Sequence, residues 1–311
     1  MSEAAWSTPQ LQLFDLAGRR VLVLGLGDSG MAMARWALRR GARLRVADTR
    51  SGDGGDLPQV QALREQALSG QALSGQALSG QALSGQAHET VGGAADTAAD
   101  TAERIAAGTA TGTAPSEPAH AIEFANAPAF DDAWLDGIDL VAWSPGLSIE
   151  QGESAAFYKR ALERGIAVAG ELELFAQALA ELREGGYQPK VIAITGTNGK
   201  TTTTALAAHL CRAANLKVTA AGNIRPPLLD ALREALDAQE LPEVWVLELS
   251  SFQLALAQSF APDVAAILNV SEDHLDWHTS MVSYVEAKQR IYAAGTIAVY
   301  NRAESATQPR R

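Results

Sequence analysis

Cysteine is nearly absent from this chain. Cys211 is the only one in 311 residues, so no disulfide can close within the molecule, and a reducing, cytoplasmic setting is expected. Long apolar runs are absent too. No stretch approaches the roughly 18–20 residues that a membrane span needs. The start, M-S-E-A-A-W-S-T-P-Q, lacks the basic and apolar regions of a signal peptide. Positive charge is scarce: 25 Lys and Arg stand against 36 Asp and Glu, a net charge of −11. With no basic stripe, a nucleic-acid partner is disfavoured. What is present, 47% hydrophobic and 20% charged residues, is ordinary for a soluble α/β protein. The length gives room for about two domains.

The densest signal is V-I-A-I-T-G-T-N-G-K-T-T-T, Val191 to Thr203. Four apolar residues run into a glycine-punctuated turn, and a helix follows. Such a turn aims backbone N–H groups into one hollow at the positive end of a helix. Lys200 adds a full charge there, and the Thr201 hydroxyl stands where a phosphate-bridging magnesium would sit. Gly196, Thr197, Asn198, Gly199, Lys200, Thr201 and Thr202 are therefore candidate contacts to a nucleotide's phosphates. The general motif G-x-x-x-x-G-K-[ST] places glycine five residues before Gly199, where this chain has Ile194.

Upstream, Val21 to Leu24 reads as a strand, Gly25-Leu26-Gly27-Asp28-Ser29-Gly30 as a turn, and Met31 to Arg40 as a helix. Leu44 to Ala47 is a second strand, ending in Asp48-Thr49-Arg50. This βαβ pattern, with an acid 18 residues past Gly30, suggests a dinucleotide site with Asp48 on a ribose hydroxyl. The plainer alternative is a tight turn whose glycines serve packing. From Gln66 to Gly85 the pentapeptide Q-A-L-S-G occurs four times. A period of five builds neither a helical nor a strand face, and an Ala-, Thr- and Gly-rich stretch follows. Residues 51–121 are thus expected to be a mostly disordered insertion, with a short helix allowed over Ala62 to Leu68. Order resumes at Ile122-Glu123-Phe124. Ile138 to Trp143 is a strand ending in Ser144-Pro145-Gly146, a helix spans Ser154 to Arg164, Ala167 to Ala169 is a strand, and Gly170 opens another helix.

Beyond the phosphate loop, a helix over Thr201 to Ala214 and a strand over Lys217 to Ala221 lead to the turn A-G-N-I-R-P. Glu243 to Leu249 is an apolar strand interrupted by Glu248, which is either an edge residue facing water or a magnesium ligand. Val264 to Asn269 is a strand ending in S-E-D-H-L-D-W-H. With two histidines and three acids in seven residues, that segment is either a functional cluster or a polar loop capped at Ser271 or Asp273. A helix over Met281 to Ala293 carries Lys288, whose plain reading is a solvated residue. Thr296 to Tyr300 is a last strand. The expected fold is α/β: an N-terminal Rossmann-like doubly wound parallel sheet, then a partial P-loop-type ATPase α/β domain.

In this order the stretches I-T-G-T-N-G-K-T-T, A-G-N-I, L-E-L-S-S-F-Q, I-L-N-V-S-E-D-H-L-D and A-K-Q-R-I-Y resemble the Mur ligase family, ATP-dependent amide-forming enzymes of peptidoglycan synthesis. The form T-G-T-N-G-K-T is the family's own, which accounts for Ile194. G-L-G-D-S-G, D-T-R, S-P-G and G-E-L-E-L-F look most like the D-glutamate-adding members. The resemblance implies residues 1–170 as a Rossmann-like UDP-sugar-binding domain and 171–311 as an incomplete central ATP-binding domain, with the D-glutamate-binding domain absent. It implies ATP, two Mg²⁺ ions, UDP-N-acetylmuramoyl-L-alanine and D-glutamate as ligands, with neither nucleic acid nor membrane involved. Lys200 would contact the β- and γ-phosphates, Thr201 and Glu248 one ion, and His274 a second with a carbamylated Lys288. Asn223 would lie near the reacting carboxylate. Asp28, Ser29, Asp48, Thr49, Arg50, Ser144, Pro145 and Gly146 would hold the sugar nucleotide. Arg225 departs from the family, which usually has glycine after A-G-N-I. A chain cut midway through the ATP domain is expected to turn over little or not at all. The rival classes are an NAD-dependent oxidoreductase built on G-L-G-D-S-G, and a non-catalytic sugar-nucleotide-binding remnant.

Overall fold

The computed structural model describes residues 15–49, 58–68, 122–125 and 129–310. It is an α/β protein with two five-stranded sheets whose strands all pair in parallel. Parallel sheets are covered on both faces, so their central strands read as unbroken apolar runs rather than alternations. Both sheets show it: L-V-A-W over Leu140–Trp143 and V-W-V-L-E over Val244–Glu248 are buried at every residue.

The first sheet uses β1 (Arg20–Leu24), β2 (Arg43–Ala47), β3 (Ile122–Ala125), β4 (Leu140–Trp143) and β5 (Ala167–Ala169), in the order β3-β2-β1-β4-β5. Its helices are α1 (Asp28–Arg39), α2 (Pro58–Leu68), α3 (Gly152–Glu163) and α4 (Glu171–Glu184). The order turns back across β1, which places a ligand crevice at the carboxyl ends of β1 and β4. Register brings those ends level, because Leu24 pairs with both Ala47 and Trp143. The second sheet uses β6 (Lys190–Thr195), β7 (Val218–Gly222), β8 (Val244–Glu248), β9 (Val264–Ile267) and β10 (Ile297–Tyr300), in the order β10-β9-β6-β8-β7. Its helices are α5 (Lys200–Ala213), α6 (Leu228–Asp237), α7 (Ser251–Ala255) and α8 (Met281–Gln289).

Several local outcomes differ from the sequence reading, three of them with a clear cause. α2 starts at Pro58, four residues ahead of Ala62, because proline's fixed φ and missing N–H suit the first helical position. Its Val60 and Leu63 are fully buried in the main core, so this part of the inserted segment is ordered. The Q-A-L-S-G repeats beyond Leu68 lie outside the described residues. α8 ends at Gln289 rather than Ala293, where the chain turns toward the left-handed Gly295. α6, unmarked in the sequence reading, buries Leu228, Leu229, Leu232 and Leu236 on one face, a three-to-four-residue spacing hidden behind the Pro226-Pro227 turn.

α1, α4 and α6 lie between the sheets, and one apolar cluster runs through them. It extends from Val21 and Val23 through Met33, Trp36, Phe175 and Leu232 to Trp245 and Leu247. Phe175 meets Trp245 edge-on with ring centres 5.2 Å apart. Ion pairs stitch the same seam: Arg35 to Asp230 at 2.9 Å, Arg39 to Asp237 at 2.6 Å and Arg40 to Glu181 at 3.2 Å. Among the described residues no helix is long and apolar enough to cross a membrane.

Candidate functional site

Each sheet carries a glycine turn between its central strand and the following helix. The first is Gly25 to Gly30. A Cβ on Gly30 would collide with the Gly25 carbonyl, so only glycine lets the turn fold this tightly. Ser144 Oγ donates to the same carbonyl at 2.9 Å. Asp48 is 2% exposed, and its Oδ2 accepts the Leu26 N–H at 2.8 Å, so it braces the turn from the end of β2. Beside the turn lies a cavity of about 360 Å³ lined by Asp28, Ser29, Asp48, Thr49, Ser144, Pro145 and Gly146, with Phe130 and Trp134 as an aromatic wall. Seven of the eight expected sugar-nucleotide residues therefore meet at one crevice. The eighth, Arg50, lies outside the described residues.

The second turn is Gly196 to Gly199. Gly196 has φ of 154° and Gly199, the cap of α5, φ of 79°, conformations that glycine adopts most cheaply. Asn269, at the end of β9, pins the loop: its carbonyl accepts the Thr197 N–H and its Oδ1 the Asn198 N–H, both at 2.9 Å. Those two amides are thus already engaged. The N–H groups left to an anion are those from Gly199 to Thr202, since the first bond of α5 runs from Thr203 N to the Gly199 carbonyl. Lys200 Nζ curls back onto the Gly196 and Thr197 carbonyls at 3.0 and 2.9 Å. Thr201 and Thr202 are exposed.

Two buried charges flank this loop. Glu248 ends β8 between β6 and β7, which rules out the edge-strand reading, and it is 2% exposed. One carboxylate oxygen accepts from Asn223 Nδ2 at 2.9 Å, while Oε2 is buried with no hydrogen-bond partner. Gly222 permits this approach, because a Cβ there would strike the Glu248 carbonyl. A buried carboxylate oxygen left bare costs about 1–3 kcal/mol and fits a cation better than it fits a fold. Lys288 is 1% exposed, which rules out a solvated role. Its Nζ donates to the Gly196 carbonyl at 3.0 Å and lies 4.5 Å from the centre of the Tyr284 ring. Burial, with the nearby Lys200 charge, lowers its pKa to about 7. His274 sits in a left-handed turn, φ 55°, between Phe252 and Tyr284, with Asp273 at 3.5 Å. His274 and Lys288 thus share Tyr284 as a neighbour. Among the described residues no three His, Cys, Asp or Glu side chains converge as a metal centre. Any cation here would depend on mixed donors such as a threonine hydroxyl.

The two sites are fastened together through residues the sequence reading passed over. His278, fully buried, bridges Glu150 Oε1 at 3.1 Å and Ser251 Oγ at 3.0 Å. Burial lowers its pKa, with Glu150 opposing. Burial pushes Glu150 up, but hydrogen bonds from Thr279, Ser283 and His278 hold it below its ordinary value. Trp277 Nε1 donates to the Pro145 carbonyl at 3.0 Å, and Gln151 Nε2 to the carbonyls of Leu275 and His278 at 2.9 and 2.7 Å. The segment that carries His274 is therefore tied to the turn that lines the first cavity. A sequence signal existed in W-H-T-S directly after E-D-H-L-D, but its partners lie more than 120 residues away.

Comparison with known proteins agrees with the motifs. Residues 194–309 match the model of the Mur ligase middle domain. The UDP-N-acetylmuramoylalanine–D-glutamate ligase of Burkholderia cenocepacia (strain HI2424) is 46% identical over 287 residues, 92% of this chain and 46% of that protein. The enzyme of the same name from Burkholderia mallei (strain SAVP1) is 48% identical over 283 residues, 91% of this chain and 45% of that protein. The chain thus spans about half the length of the curated relatives it matches. A solved MurF ligase from Thermotoga maritima in complex with ADP aligns with 52% of this chain and 43% of that one. Identity there is 22% and the TM-score 0.34, an overlap too loose to place any residue. The resemblance to the Mur ligases, and within them to the D-glutamate ligases, is carried by the motifs, the family model and these relatives together.

Proposed function

We propose that this chain is the nucleotide-handling part of a Mur-type ligase, cytoplasmic, that joins D-glutamate to UDP-N-acetylmuramoyl-L-alanine with ATP. A free carboxylate is a poor electrophile. Its oxygen attacks the γ-phosphorus, ADP leaves, and an acyl phosphate forms. The D-glutamate amine then attacks the acyl carbon, the C–O bond to phosphate breaks, and an amide and phosphate result. Protein help in such transfers is positioning and charge neutralisation.

The residues present suit those tasks. Lys200 exchanges its loop carbonyls for the β- and γ-phosphates, and the amides from Gly199 to Thr202 cradle them. Glu248 Oε2 and the Thr201 hydroxyl would hold Mg²⁺, which neutralises phosphate charge when bound; His274 and Lys288 would hold a second ion. Lys288, near neutrality by its lowered pKa, suits carbamylation: the amine nitrogen adds to CO₂, a proton is lost, and an anionic ligand replaces a cation. Asn223, held by Glu248, would lie near the reacting carboxylate. The first cavity takes the UDP-sugar. The relatives are about twice as long, and apolar Leu206, Leu210, Ile297 and Val299 stand exposed on α5 and β10.

One observation carries the reading: the bare, buried oxygen of Glu248 beside a glycine loop with Lys200. Equilibrium binding to the 311-residue chain tests the class. UDP-N-acetylmuramoyl-L-alanine should bind and NADH should not. NADH binding without UDP-sugar binding would overturn the reading in favour of an oxidoreductase.

A further inference from the structure

The described lining of the first cavity has a charge deficit. Among its described lining residues are two carboxylates, Asp28 and Asp48, and no lysine or arginine. A sugar nucleotide brings a diphosphate with more than one negative charge, and helix-end dipoles supply only fractional compensation. Among the described residues one guanidinium from the other unit lies in the groove beside this cavity. Arg225, in the turn between β7 and α6, meets Asp28 three ways. Nη2 lies 3.1 Å from Oδ2, Nε donates to Oδ2 at 3.2 Å, and Nη2 donates to Oδ1 at 3.3 Å. Asp28 lines this cavity and also the neighbouring groove that Arg225 lines, so Arg225 grips the wall of the cavity from its groove side.

We propose that Arg225 is a binding residue for the diphosphate of the sugar nucleotide held in the first cavity. It reaches across from the second unit, a contact that the glycine usual in the family could not make. The inference rests on the reading of that cavity as a sugar-nucleotide site. A carboxylate gripped by two guanidinium nitrogens presents the same oxygen geometry as a phosphate, so the guanidinium can exchange Asp28 for the diphosphate. The exchange is cheap, because the pair is 83% and 61% exposed and such pairs hold weakly. It would also draw the Asn223 loop, two residues before Arg225, toward the bound substrate.

The test measures binding of UDP and of uridine to the full 311-residue chain, in wild type, R225Q and R225K, at low and high salt. Arg225 is exposed, so both variants should melt with wild type. R225Q should weaken UDP by about tenfold, flatten its salt dependence and leave uridine unchanged, while R225K retains part of the affinity. Equal UDP affinity in R225Q and wild type would overturn the inference and leave the cavity reading standing. So would equal losses of UDP and uridine, which would mean that Arg225 only shapes the loop. Failure of wild type to bind UDP at all would overturn both.

Discussion

The two sheets present the same device twice, and the acids beside them show how differently it is used. In each, a buried parallel strand runs into a glycine turn and a helix, and a neighbouring strand ends in a buried carboxylate. Asp48 gives an oxygen to the Leu26 amide and so completes the turn it sits beside. Glu248 gives one oxygen to Asn223 and leaves the other bare. The cations differ as well. Lys200 and Lys288 both donate to the Gly196 carbonyl of the second turn, whereas the described lining of the first cavity has none. The first turn is completed by its own protein, while beside the second a buried carboxylate oxygen is left without a hydrogen-bond partner.

The comparison breaks most visibly at the glycines. Gly30→Ala forces a Cβ into the Gly25 carbonyl and should cost about 3 kcal/mol of unfolding free energy. Gly27→Ala, with nothing within 4 Å of its Cβ, should stay within about 0.5 kcal/mol; chemical denaturation of both checks this. Lys200→Ala should weaken ATP binding about 100-fold while UDP-sugar binding holds within about twofold, measured by calorimetry. Equal losses of both ligands would mean that the turns are not independent. The acids should respond with opposite sign. Asp48→Asn removes a useful charge and should lower stability by about 1–2 kcal/mol. Glu248→Gln removes a bare buried charge and should raise the stability of the ligand-free protein by about 1 kcal/mol.

A separate effect concerns pH. Burial lowers the folded pKa of Lys288 to about 7 from an ordinary 10.5. Between those values the unfolded chain holds the proton and the folded chain does not, so this residue's contribution to stability rises with pH across that window. The penalty is full below about pH 7. Glu171, raised by burial to about 7, acts below that window and in the opposite sense, weakening the fold as pH climbs from its ordinary 4.5. Lys288→Met should therefore flatten the rise above pH 7 and leave the acid limb unchanged, as thermal melts across pH would show.

Much of this was legible in the chain. Strand and helix alternation reads as parallel α/β, the glycine turns read as phosphate or nucleotide cradles, and Glu248 stands out because a charge inside an apolar run needs a reason, whereas Lys288 is marked only by the family resemblance. Plain readings fell where burial decided the case, at Glu248 and Lys288. What stayed hidden was long-range pairing. Asn269 pins the phosphate loop from another strand, and His278 reaches Glu150 across 128 residues. No local pattern encodes such partners. The hydrogen-bond state of Asp48 was hidden for the same reason, since an acid after a strand looks alike whether it braces a turn or binds a ligand.

The central claim is that Glu248 holds a cation for the nucleotide. Titration of the 311-residue chain with ATP, with and without Mg²⁺, tests it most directly when wild type and Glu248→Gln are run side by side. Mg²⁺ should tighten ATP binding to wild type by about tenfold or more and have no effect on the variant. An equal Mg²⁺ enhancement in both proteins would contradict the claim.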